Sequence, residues 1–112
     1  MRLRSDIWVS AYMRRCLVSG RFAGLRRRGA AEAGAIFVKI DLLDGHVVLY
    51  GPAPQSEIGD AGIERRWQKL HQSAAIEESE AEDRLRRELS FDPDLWIVEV
   101  ESPDGEHFLD LV

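Results

Sequence analysis

Trp8, Val9, Tyr12, Met13 and Cys16 recur at helical spacing between Ser5 and Gly20. This predicts an amphipathic helix from Ser5 to about Ser19, with Ser10 and Arg14 on its opposite side. Ser5 is the expected N-cap, and Asp6 places a negative charge at the positive end of the helix dipole. The next stretch, RFAGLRRRG, reads as a second short helix ended by Gly29. The period then changes. Ile36, Val38, Ile40 and Leu42 alternate, Asp44-Gly45 supplies a tight turn, and Val47 to Tyr50 return, which predicts a β-hairpin. GPAPQ carries two prolines that end the second strand, so residues 51–62 read as a loop. Ile63, Trp67, Leu70 and Ala74 fit a helical stripe. A continuous helix from 63 to 90 would be unusually long, however, so residues 63–71 are expected to form a strand.

A further helix is predicted from between Ser73 and Ser79 to about Ser90. SEAE at 79–82 has the capping-box form, and Ala74, Ala81, Leu85 and Leu89 make the apolar stripe. Glu80–Arg84, Glu82–Arg86 and Asp83–Arg87 are spaced four apart with the acid first, the favourable order for ion pairs along a helix. Leu95 to Glu101 then read as a strand. Leu95, Ile97, Glu99 and Glu101 share one face, and Trp96, Val98 and Val100 the other. SPDG is a turn, and His107 to Leu111 are expected to return as a strand. These elements predict one α+β domain over residues 1–112. Its mainly antiparallel sheet has four or five strands, with two principal helices on one face.

Composition narrows the class. A chain of 112 residues, 45% hydrophobic and 31% charged, is an ordinary globular domain rather than a disordered adaptor. Cys16 is the single cysteine, so no internal disulfide forms, which fits a reducing cytoplasm. It falls on the apolar helix face and reads as a small core residue rather than a nucleophile. No apolar run approaches the roughly 18 residues of a membrane span. The opening MRLRSDIWVSAYMRRC is broken by Asp6, Ser10 and Arg14, so no signal peptide is expected. A cytoplasmic protein without a membrane partner follows. His46, His71 and His107 lack metal-ligand spacing. GAAEAG at 29–34 lacks the Gly-Lys-Ser/Thr of a phosphate loop, and no cofactor or metal is expected.

Charge is distributed unevenly. The net charge of −5 combines +7 over residues 1–30 with −12 over the rest. Arg14, Arg15, Arg26, Arg27 and Arg28 are therefore the candidate anion- or partner-binding residues, since forked guanidiniums suit phosphate and carboxylate. The partner would be an acidic protein, a nucleic acid or a phosphorylated ligand, met by a non-enzymatic binding module. The competing expectation is that these arginines pair with the acidic second half. A different class is offered by Asp92, Asp94, Glu99 and Glu101, whose PD…EVE order partly matches metal-dependent nucleases and would make a small hydrolase. That order has Glu101 where such enzymes carry lysine, and its spacing is short. A third alternative is a structural subunit that pairs with a copy of itself, as a homodimer, at a sheet edge.

SDIWVSAYMRRC, RRRGAAEAGAIFVKID, LYGPAPQ, FDPDLWIVEVES and HFLDL together resemble a family of short bacterial proteins catalogued as a domain of unknown function. The likeness covers most of the chain and is weak or absent over residues 56–78. It implies a small stand-alone cytoplasmic protein with no assigned activity, and it carries over no catalytic residue.

Overall fold

The computed structural model describes residues 3–54 and 65–112. The first apolar stripe folds as expected into helix α1 (Ser5–Val18). Its start is held differently from the expectation. Arg4 occupies the N-cap, while Ser5 is fully buried and donates its hydroxyl to the Gly34 carbonyl at 2.6 Å. The first backbone N–H groups of the helix, those of Ser5 and Asp6, donate to Glu32 and Ala31. The GAAEAG segment thus satisfies donors that a helix leaves open. Gly20, at φ +89°, ends α1, and Arg21 N–H donates back to the Cys16 carbonyl, the pairing of a left-handed C-terminal cap.

RFAGLRRRG is not a helix. It forms strand β1 (Phe22–Arg27), antiparallel to the last strand of the chain. Only Ala23 of this strand is buried, so its alternation is too short to read from the sequence. The predicted hairpin is β2 (Ile36–Asp41) with β3 (His46–Pro52). Its turn places Leu43 and Gly45 at positive φ, and the Asp41 and Asp44 carboxylates accept from Leu43 and His46 N–H. β4 (Trp67–Lys69) pairs with β3, as expected of the Trp67 stretch. Ile63 and most of the predicted 51–62 loop lie outside the described residues.

β5 (Ile76–Glu77) also joins β3 and leads directly into helix α2 (Glu78–Phe91). Glu77 is the N-cap and makes no side-chain cap, so Ser79 lies inside the helix and the SEAE capping box does not form. Of the predicted pairs none forms. Arg84 bonds Glu88, Arg86 bonds Asp83, and Glu82 turns toward the sheet. β6 (Trp96–Glu101) follows. The expected return strand at His107–Leu111 is absent, for a topological reason. β6 already has β1 on one side and β2 on the other, which leaves no edge to return to. The chain turns at Phe108, at φ +57°, and its end bridges Trp67 instead.

The fold class is α+β, with strand order β1-β6-β2-β3-β4 and β5 added on β3. Among the described residues six strands replace the expected four or five, and β2 with β6 is the one parallel strand pair. The helices, expected on one face, lie on opposite faces. Val9, Tyr12 and Cys16 of α1 pack with Ile36, Val38, Ile40, Val98 and Val100. Leu85 of α2 packs with Phe37, Leu49, Leu95 and Ile97, which point the other way. The cause is visible in β2, where the first five positions are all buried. A strand that is apolar on both sides must be covered on both. Among the described residues no helix is long and apolar enough to cross a membrane.

Candidate binding surface

One member of each charged cluster read from the sequence, Arg26 and Glu99, meets the other on the α2 face. Lys39, in the middle of β2, has a side chain only 1% exposed. Its Nζ bonds Glu78 at 2.7 Å and Glu82 at 2.6 Å, with Glu99 at 3.7 Å. Arg26 grips both carboxylate oxygens of Glu82, at 2.7 and 2.8 Å, and reaches Glu99 at 3.2 Å. The Arg26 hydrogen bonds, opposed by partial burial and reinforced by Lys39, hold the Glu82 carboxyl down at about 2. Burial alone would push the Lys39 ammonium down, but its bonds to Glu78 and Glu82 outweigh that and raise it. Two cations and three carboxylates thus join α2 to the sheet. The arrangement is structural, because a buried charge without its partners is strongly destabilising.

The remaining acidic candidates are not brought together. Asp92 accepts the Asp94 N–H at 2.9 Å just after α2, at the entry to β6. Glu101 is at the other end of that strand, exposed. The span from Asp94 to Glu101 is roughly 23 Å at about 3.3 Å per residue. Among the described residues no three His, Cys, Asp or Glu side chains could hold a metal ion together.

His71, His107 and Cys16 serve packing, whereas His46 is half exposed, 3.6 Å from Asp44 and from Glu77. His71 Nε2 accepts the Leu49 N–H, which places its proton on Nδ1 toward the Ser73 carbonyl. His107 Nδ1 accepts from Leu109 N–H, its ring lies against Tyr50, and its carbonyl accepts from the Tyr12 hydroxyl. Burial lowers the pKa of both imidazoles. Cys16 is fully buried, and burial pushes its thiol up, away from nucleophilic use.

Among the described residues, four of the five candidate arginines make no ion pair, although Arg28 is near enough to Asp6 to help Arg4 lower its carboxyl pKa. Among the described residues, only Arg26 of the five has an ion pair within 4.0 Å. Arg15 lies over the Phe108 ring at 4.7 Å and Arg28 over Trp96 at 5.2 Å. Arg27 donates to the carbonyls of Pro93 and Arg28. Arg14 is exposed on the outer side of α1. Arg14 and Arg28 border an open groove of about 870 Å³ between α1 and the β1–β6 end of the sheet. Ile7, Leu17 and Leu25 line it, at 49%, 52% and 40% exposure, and Trp96 lies deeper.

α1 is therefore apolar on two sides. One stripe enters the core, and Ile7, Ala11 and Leu17 face the groove. Ser10 and Arg14 make that second side look polar in the sequence, although Ile7 and Leu17 stand close to three helical turns apart. Leu25 is hidden because RFAGLRRRG carries too short an alternation to declare a strand.

GAAEAG joins these parts. Ala30 N–H donates to the Asp94 carbonyl, and Trp96 donates its indole N–H to the Ala30 carbonyl, both at 2.8 Å. Gly29 and Gly34 both press on the Asp94 carbonyl, leaving no space for a side chain. The glycines allow the segment to lie over the entry to β6 while it caps α1.

No curated protein matches the chain. The solution structure of protein Atu0922 from A. tumefaciens is 45% identical, covers 100% of this chain and 96% of its own, and superposes at TM-score 0.84. The crystal structure of a DUF1491 family protein from Caulobacter crescentus CB15 is 35% identical at TM-score 0.80, over 100% of this chain and 99% of that one. An NMR structure of a DUF1491 family protein from the same organism is 38% identical at TM-score 0.81, over 100% and 98%. The family model described as Protein of unknown function (DUF1491) matches residues 3–110, and the chain belongs to that family.

Proposed function

We propose that this protein is a non-enzymatic binding module of the cytoplasm, and that its working surface is the groove between α1 and β1. The partner presents anionic groups to Arg14 and Arg28 and apolar groups to Ile7, Leu17 and Leu25. One observation carries this reading. Of five clustered arginines, the fold uses one in ion pairing and leaves four, among the described residues, without a carboxylate within 4.0 Å; two of these, Arg14 and Arg28, line a largely apolar groove in which Asp6 is the one acidic side chain. Guanidiniums that are already desolvated on one side, as Arg28 is over Trp96, are good receivers of an anion.

The test is binding to polyglutamate and to heparin over a salt series, for the wild type and for R14E/R28E. Wild-type affinity should fall steadily with salt, and the double variant should bind at least tenfold more weakly. No binding by the wild type, or equal binding by both proteins, would remove the reading.

A further inference from the structure

The two edges of the sheet are treated differently. At the β4 edge the C-terminal segment completes the ladder: Trp67 N–H donates to Asp110, and Val112 N–H donates to Trp67. At the opposite edge, among the described residues, β1 pairs only with β6. No other backbone hydrogen bond reaches Phe22 to Arg27 among the described residues. An uncovered edge is a row of donors and acceptors ready to take another strand.

The surroundings of that edge select what it takes. Leu25, on the α1 side of β1, lines the groove, and Ile7 and Leu17 of α1 line it from above. A strand laid against β1 would point every second side chain toward this groove. Arg27 and Arg28 sit at one end of the edge and Arg14 on the groove's rim, all three without carboxylate partners among the described residues. The register shift between Leu25 and Arg27 confines regular pairing to Phe22–Leu25. Four residues are enough for a short peptide and too few for a broad sheet interface.

Resting on the binding-module reading above, we infer that the partner is an extended segment of another protein that adds to β1 as a further strand. Its apolar residues alternate, and it carries carboxylates toward Arg14, Arg27 and Arg28. Backbone bonds to the edge supply general affinity, and the groove and arginines supply selection. A second copy of this chain is a poorer occupant. Its own β1 would bring another Arg26-Arg27-Arg28 run to an edge whose Arg27 and Arg28 have no carboxylate within 4.0 Å among the described residues.

The test selects peptides from a displayed library of random ten-residue segments on the full-length protein. The best peptide is then synthesised, both unmodified and with alternate backbone amides N-methylated, one peptide for each of the two phases. Expected are sequences with alternating apolar residues and at least one Asp or Glu. Affinity should drop at least tenfold in one methylated form, and amide exchange within Phe22–Leu25 should slow at least tenfold on binding.

Selected acidic peptides that need Arg14 and Arg28 but tolerate both methylations and protect no β1 amide would overturn strand addition while leaving the anion-binding reading intact. Failure to select any peptide, together with tight binding of an oligouridylate probe, would replace the protein partner by RNA and also overturn it. A dimer in sedimentation whose β1 amides are already protected without peptide would show that a second copy holds the edge. Loss of all anionic binding, in this experiment and in the polyglutamate series, would remove both readings.

Discussion

Glu82→Gln tests the charged network beneath α2. In the folded chain Glu82 titrates near 2 against an ordinary value of 4.5. At about 1.4 kcal/mol per tenfold change, that difference amounts to roughly 3 kcal/mol of stability at neutral pH. A quarter of the Glu82 side chain remains exposed, so screening by water reduces the figure to about 2 kcal/mol. The sign follows from the depressed folded value. The stabilisation is complete above about 4.5, where the unfolded chain ionises, and is lost as the pH falls through about 2. Urea unfolding followed by tryptophan fluorescence, at several pH values between neutrality and the acid limit, reads this directly. The variant should be less stable by about 2 kcal/mol at pH 7, and the gap should close on acidification as the wild-type carboxylate protonates. A gap of the same size at every pH would mean that the substitution acts through packing rather than charge. A gap near zero at pH 7 would show that Arg26 and Lys39 stabilise nothing through this carboxylate.

Leu85→Ala removes the centre of the α2-side core, where Leu85 is 2% exposed against Phe37, Leu49 and Ile97. It should cost about 3 kcal/mol in chemical denaturation. Gly29→Ala drives a Cβ to 2.6 Å from the Trp96 ring and into the Asp94 carbonyl, and should cost about 3 kcal/mol. Gly20→Ala meets no atom within 4 Å but must hold φ +89°, so calorimetry should show a smaller loss of about 1 kcal/mol. Cys16 should resist a thiol reagent in the native protein and react promptly in denaturant, and rapid native labelling would contradict its burial.

The apolar patterns were legible where a segment carried its own period. α1, the 36–50 hairpin, α2 and β6 each alternate or recur over enough residues to declare themselves. β1 does not, because two consecutive arginines and a glycine leave only Ala23 and Leu25 to mark its α1-side face. The arginine and acidic clusters were each legible as clusters. Their separation into one paired arginine and four without ion pairs among the described residues was not. Arg26 meets Glu82 and Glu99 only when β1, β6 and α2 are assembled.

By itself, then, the sequence determined the strongly periodic elements, the α+β class and the concentration of positive charge near the N-terminus. These depend on neighbours within a turn or a pleat. Only the tertiary structure decided that the helices cover opposite faces, that β6 inserts between β1 and β2, and that the C-terminal segment closes one edge while the other, among the described residues, is bare. The physical reason is one of range. Periodicity reports which side of an element is apolar, whereas strand order and the fate of each charge follow from how distant segments compete for the same edges and the same buried partners.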